Sequence, residues 1–177
     1  MATIKDIREA FFGLTQKEQE SMIKDIYSYS KDVKDFLNMR LLGTNGDSFL
    51  EQIRKVTQSS TKTGMPKIIK VTSVNSVISK AKKAKVSKDI LCEMEWIAFD
   101  GYMTSLNDYG GGPESYENKV YTHLENYLLL VTSIERGEKL TDELEAAGQY
   151  LQNNTNMYYD HIWELFEEIT GMKVEDC

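Results

Sequence analysis

Cysteine, proline, histidine and tryptophan each occur only twice in the 177 residues. Two cysteines, Cys92 and Cys177, far apart in the chain, exclude a disulfide framework and point to a reducing, cytoplasmic setting. Two prolines exclude a Pro-rich linker, a collagen-like repeat and a many-turned β-sandwich. Acidic and aromatic residues are both missing from positions 52–88. Long apolar runs are missing too: Leu128–Val131 is interrupted far short of the ~18 residues that span a bilayer. The opening Met1–Asp6 is polar and lacks the apolar segment of a secretory signal. Together these gaps predict a soluble cytoplasmic protein with no membrane partner.

What is present is a charge distribution hidden by its total. The formal charge is −7. Residues 1–51 hold seven basic and nine acidic side chains, residues 52–88 hold ten basic and no acidic ones, and residues 89–177 hold four basic and nineteen acidic ones. A +10 segment therefore adjoins a −15 half.

Apolar residues recur at helical spacing nearly throughout. Thr3 caps a short helix carrying Ile4, Ile7 and Phe11, closed by Gly13. Thr15 and Glu18 form a capping box before Met22, Ile23, Ile26 and Tyr27. Ser30 opens a third helix that Gly43 ends, and Asp47 or Ser48 opens a fourth with Phe49, Leu50, Ile53 and Val56. The Ser/Thr-rich stretch Thr57–Gly64 is the clearest break, allowing an N-terminal lobe 1–60 and a C-terminal lobe 65–177 within one helical domain. Pro66 suits the first position of a fifth helix, although the β-branched residues after it also suit a strand. Ser87 caps a sixth helix, and Asn107–Pro113 is a loop from which Pro113 opens a seventh, ended by Gly137. Thr141 and Thr155 are the expected caps of an eighth and a ninth, with Tyr158 and Tyr159 on the last and Gly171 at its end. The predicted fold is all-α: about nine amphipathic helices packed as antiparallel hairpins, in an irregular bundle or a short superhelical stack.

Two stretches carry a resemblance. The first runs Leu14-Thr15-Gln16-Lys17-Glu18, Ile23-Lys24-Asp25-Ile26-Tyr27 and Lys31-Asp32-Val33-Lys34-Asp35-Phe36-Leu37; the second runs Ile90–Gly112 and Tyr116–Leu128 and closes on Tyr158–Phe166. They resemble a bacterial family of helical proteins with no assigned function, whose members show a capped helix pair, a Tyr-Gly loop and a closing His/aromatic helix. Here Gly110-Gly111-Gly112 stands where that family's loop is acidic. The resemblance implies an all-helical fold and assigns no catalytic residue.

No pattern specifies an enzyme. His161 has Glu164 at i+3, the spacing of an ordinary surface pair. His123 has Lys119 and Tyr127 one turn to either side, poor metal ligands both. No HExxH, GxSxG or Cys/His cluster occurs, so no catalytic residue, metal or cofactor is expected. An enzyme would need carboxylates such as Glu93, Glu125 or Glu164 to converge with a histidine in a pocket. Gly110–Gly112 lacks the Gly-Lys-Ser/Thr of a phosphate loop, and Glu114 and Glu117 behind it repel phosphate, so it is a connector.

Two surfaces remain as candidates. Lys62, Lys67, Lys70, Lys80, Lys82, Lys83, Lys85 and Lys88 form a basic one, suited to nucleic acid or an acidic protein. It lacks the aromatics that stack on bases, and the more economical reading is that it neutralises the acidic half of the same molecule or of a second copy. Residues 89–177 hold twelve of the eighteen aromatics, and Tyr109, Tyr116 and Tyr150, near loops or helix ends, are candidates to edge a protein-binding groove. The leading expectation is a non-enzymatic helical interaction module whose partner is a protein, itself or another. The alternative is a nucleic-acid-associated protein using residues 62–88, and an enzyme with an unrecognised carboxylate/histidine pocket ranks third.

Overall fold

The computed structural model describes residues 2–42, 46–155 and 160–177. The protein is all-α, 77% helical, with nine α-helices and no strand among the described residues. They are α1 (Ile4–Phe12), α2 (Gln16–Tyr29), α3 (Lys31–Leu42), α4 (Asp47–Thr57), α5 (Val71–Ala84), α6 (Lys88–Asp108), α7 (Glu114–Thr132), α8 (Glu138–Asn154) and α9 (Asp160–Thr170). A short 3-10 turn, Val174–Asp176, follows. The chain divides into two compact units, Met1–Thr44 and Asn45–Cys177. The division thus falls before α4 and not in the Ser/Thr-rich stretch, because α4 packs on α5 and α6.

The first unit is built on local grammar. Thr3 and Asp6 form a reciprocal capping box at α1, and Thr15 and Glu18 form another at α2. The Thr3 amide and then its hydroxyl hold the Asp6 carboxyl below the usual carboxylate range. The Thr15 hydroxyl and amide do the same for Glu18. Gln19 ties the end of α1 to α2 by donating to the carbonyls of Phe11 and Leu14. The Ser30 hydroxyl accepts from the Val33 amide at 3.2 Å, as its place before α3 predicts. The expected stop at Gly43 lies outside the described residues.

The second unit is organised around α6, whose Cys92, Met94, Ala98, Phe99, Tyr102, Met103 and Leu106 are all buried. Helices α4, α5 and α7 pack against it, and α9 packs on α7 and α8. Phe49, Leu50 and Ile53 of α4 and Val74, Val77, Ile78 and Ala81 of α5 supply one part of the core. Val120, Leu124, Leu128 and Val131 of α7, Leu144 and Leu151 of α8, and Ile162 and Phe166 of α9 supply the rest.

Four boundaries differ from the sequence expectation. Helix α5 begins at Val71 and not at Pro66. Before it the chain turns back on itself: Pro66 bridges Ser60, the Lys67 amide donates to the Ser59 carbonyl at 2.7 Å, and Gly64 takes φ +77° at the tip. Ile69 is then held extended by Tyr116, whose hydroxyl accepts from its amide at 2.7 Å and lies 3.1 Å from its carbonyl. Helix α7 ends at Thr132, before Gly137. Gly137, at φ +57°, precedes α8, so Thr141 lies inside that helix and does not cap it. Thr155 is the C-terminal cap of α8: its hydroxyl donates to the Leu151 carbonyl at 2.6 Å and accepts from Trp163 Nε1 at 2.7 Å. Tyr158 and Tyr159 lie outside the described residues.

One glycine sets how closely α4 and α6 approach. A Cβ placed on Gly101 would sit 2.7 Å from both the Thr57 carbonyl oxygen and the Thr57 Cβ. Alanine normally stabilises a helix interior over glycine by up to ~1 kcal/mol. Here the obstructing atom is backbone, so the helices must separate, and Gly101→Ala is expected to lower stability by about 1–3 kcal/mol. Urea unfolding followed by far-ultraviolet circular dichroism measures the sign.

Candidate functional site

Glutamate and histidine meet in the core. Glu95 of α6 is 1% exposed and His123 of α7 is 3% exposed. Glu95 Oε2 lies 2.6 Å from His123 Nδ1, and Lys82 Nζ of α5 approaches Glu95 Oε1 at 3.3 Å. Asn126 Nδ2 adds a longer contact of 3.4 Å to Oε2. A buried carboxylate thus ties three helices together, each donor coming from a helix other than its own or from the next turn of α7. The ring of Tyr102 stacks on His123 with centroids 5.7 Å apart and planes 8° from parallel. Tyr102 also meets the Tyr116 ring edge-on at 5.1 Å.

This convergence answers the enzyme reading only in part. Glu95, not Glu93 or Glu125, is the carboxylate that reaches the buried histidine. His161 and Glu164 do pair, at 2.9 Å, but both side chains are exposed. His123 Nδ1 is engaged by Glu95, while its Nε2 is buried and has no hydrogen-bond partner. Both His123 and Glu95 line a cavity of about 480 Å³, together with Lys82, Thr122 and Asn126. Among the described residues no group of three His, Cys, Asp or Glu side chains is placed to hold a metal. Burial pushes the Cys92 thiol up to about 12, so a thiolate nucleophile is disfavoured there.

The sequence did carry a signal for this pair. Glu95 falls on the inward stripe Leu91–Glu95–Ala98–Tyr102, and His123 falls between Val120 and Tyr127 on the stripe of α7. A charged side chain in an apolar stripe needs a buried partner.

The basic candidates are placed as follows. Lys62, Lys70, Lys82, Lys83, Lys85 and Lys88 are exposed, and Lys67 and Lys80 are half-buried. Lys82 reaches Glu95, and Arg54, in the same acid-free segment, reaches Glu93 at 2.6 Å. Lys67 donates to the Lys55 carbonyl, and Lys88 to Ser133. The segment is thus stitched to the acidic helix α6 at two points, and much of it remains on the surface. Lys85 is in the left-handed conformation, φ 55°, and ends α5.

The aromatic candidates do not form one surface. Tyr116 is 5% exposed, and its hydroxyl is used by Ile69, so it is a core residue. Tyr109 is 39% exposed and its hydroxyl contacts the Ser59 carbonyl at 3.4 Å. Tyr150 is half-buried on the opposite helix α8, donating to Asp100 at 2.5 Å and meeting Trp96 edge-on at 5.1 Å. Loop proximity misled for Tyr116 because one turn inside α7 already faces the core.

The apolar exposure lies elsewhere. None of the described side chains of the first unit is fully buried. Ile4, Ile7 and Phe12 of α1, Ile23 and Ile26 of α2, and Leu41 and Leu42 of α3 are between 43% and 81% exposed. Of the residues placed on core-facing stripes by their spacing, Ile4, Ile7, Ile23, Ile26 and Leu41 are exposed, while Phe11 is half-buried. The chain matches no protein-family model, no curated protein and no solved structure among those compared.

Removing Glu95 leaves His123 in the core without its partner, whereas Lys82 is exposed and returns to water. Glu95→Ala is expected to cost about 3–5 kcal/mol, since breaking a buried pair leaves an uncompensated polar group. Replacing both partners, Glu95→Leu with His123→Phe, should cost less than Glu95→Ala alone. Denaturant midpoints of the two variants give the comparison, and additivity in place of this rescue would contradict the coupling.

Proposed function

We propose that the chain is a helical protein-interaction module in which α1–α3 is the binding element and a second copy of the chain is the partner. The observation that carries this reading is the first unit itself, with two box-capped amphipathic helices, α1 and α2, and no fully buried residue among those described. Segments of about 40 residues rarely sustain a core alone and usually rely on staples or association. Large apolar side chains exposed in this number are a common mark of interaction sites.

Charge favours a second copy. Residues 1–44 hold seven basic and seven acidic side chains, so this unit is neutral and the whole −7 resides on residues 45–177. Two copies meeting through α1–α3 join neutral apolar faces, whereas contact between the acidic units is opposed by repulsion. Light scattering after size exclusion should give twice 20.3 kDa for the intact chain. Ile23→Glu combined with Ile26→Glu, at positions 49% and 43% exposed, should restore the monomer with unchanged helix content. A monomeric wild-type chain across the accessible concentration range would refute the reading.

Surface exposure of Lys62, Lys70, Lys83 and Lys85 supports a second reading, a polyanion-binding face on the acid-free segment. That reading expects duplex retardation at low salt that weakens linearly in log–log form with added salt, and that disappears when the four lysines become glutamine. A gel-shift series decides it, and no retardation at low salt removes it.

A further inference from the structure

A cavity of about 440 Å³ opens between α6, α7 and α8. Trp96, Tyr127 and Tyr150 line it, together with Cys92, Ala146 and Ala147. The rings brace one another, Trp96 lying 4.8 Å from Tyr127 and 5.1 Å from Tyr150 between centroids. The Tyr150 hydroxyl is fixed by Asp100. Cavities near Glu95 and near Asp100 are lined chiefly by hydroxyl, amide and charged groups, so this apolar, aromatic one has the character of a small-molecule site.

Its rim determines the sign of the ligand. Asp89, Glu93 and Glu143 line it. Arg136 spans two of them, with Nη2 2.7 Å from Asp89 and Nη1 on Glu143. Arg54 takes the third, 2.6 Å from Glu93. Three carboxylates face two guanidinium groups, leaving one negative charge uncompensated within the −15 half of the chain. Arg136 is 18% exposed, so this rim already holds one planar cation largely out of water. A single further positive charge balances the site. Aromatic walls favour a weakly hydrated cation whose charge is spread over apolar groups, and a strongly hydrated metal ion gains little from them.

We propose that this cavity binds a small organic monocation of the alkylammonium or quaternary ammonium class, held by Trp96, Tyr127 and Tyr150 and balanced by the Asp89, Glu93 and Glu143 rim. The site is independent of self-association through α1–α3, so the Ile23→Glu, Ile26→Glu variant should bind the cation unchanged.

Tetramethylammonium chloride is the probe, its methyl protons read by saturation-transfer NMR on the full-length chain, with ionic strength held constant by sodium chloride. The expected result is a signal that saturates, with affinity about fivefold weaker in Trp96→Phe, which keeps an aromatic ring in the packing. Glu143→Gln neutralises the residual rim charge with almost no change in shape and should weaken binding by a similar factor. A signal that never saturates overturns the proposal. So does an affinity unchanged in either variant.

Discussion

Burial of α6 on several sides is the constraint from which the second unit follows. A helix contacted by α4, α5 and α7 has little circumference left for solvent, so its buried polar groups depend on partners within the protein, and the Tyr102 hydroxyl is buried without one. Each neighbour solves a different part of that problem. On the α4 side the absence of a side chain at Gly101 admits the Thr57 backbone. The α5 and α7 sides supply Lys82 and His123 to the one buried acid, Glu95. Asp100 accepts from Tyr150 of α8. The inward side of α6 carries Met94, Ala98, Phe99, Tyr102 and Met103, all inaccessible.

The Glu95–His123 pair is costly on its own terms, because both groups leave water. What it supplies is register. The 2.6 Å contact forms only when α6 and α7 are aligned to within a fraction of a turn, and Lys82 adds the same condition for α5. Apolar stripes tolerate sliding by a turn, whereas a buried carboxylate does not tolerate losing its donors. Tyr102 contributes from above the imidazole, and Tyr116, in edge contact with Tyr102, extends the network to the Ile69 backbone. A chain of polar and aromatic-ring contacts therefore runs from α5 through the core to the segment before it.

The fold was largely legible in the sequence, since caps and 3.6-residue periodicity are local. Thr3, Thr15 and Ser87 cap where their spacing predicts, and the glycine loop between α6 and α7 falls in place. Two of the failures come from partners that compete with the expected helix start. Pro66 reads as a helix start, yet the Ser59 and Ser60 backbone and the Tyr116 hydroxyl hold residues 66–69 extended. Thr155 reads as an N-cap, yet Leu151 and Trp163 claim its hydroxyl for the end of α8. Periodicity also reports that a stripe exists without reporting what covers it. Ile4, Ile7, Ile23 and Ile26 satisfy the same template as Val120, Leu124, Leu128 and Val131, and only the second set is buried. The candidate cavity was half legible: Tyr150 was singled out, but its convergence with Trp96 and Tyr127 depends on three helices meeting.

Charge segregation takes on a definite meaning once it is placed on these elements. The neutral total of residues 1–44 coincides with the unit whose apolar faces are exposed, where a net charge of either sign would oppose pairing of like copies. The +10 segment spans the end of α4 and all of α5, and it touches the acidic half where Arg54 and Lys82 meet Glu93 and Glu95 on α6. Even with every cation of that segment paired to an acid, residues 45–177 keep a net charge of −7. The acidic excess therefore persists on the face of α6 and α8, where Asp89, Glu93 and Glu143 surround an aromatic hollow that Arg136 only partly neutralises. A field of that sign over an apolar cavity selects for cations that shed water easily, and Trp96, which lines that cavity, packs 5.2 Å from the buried Phe99 of the same helix, so the cavity wall is held by the core.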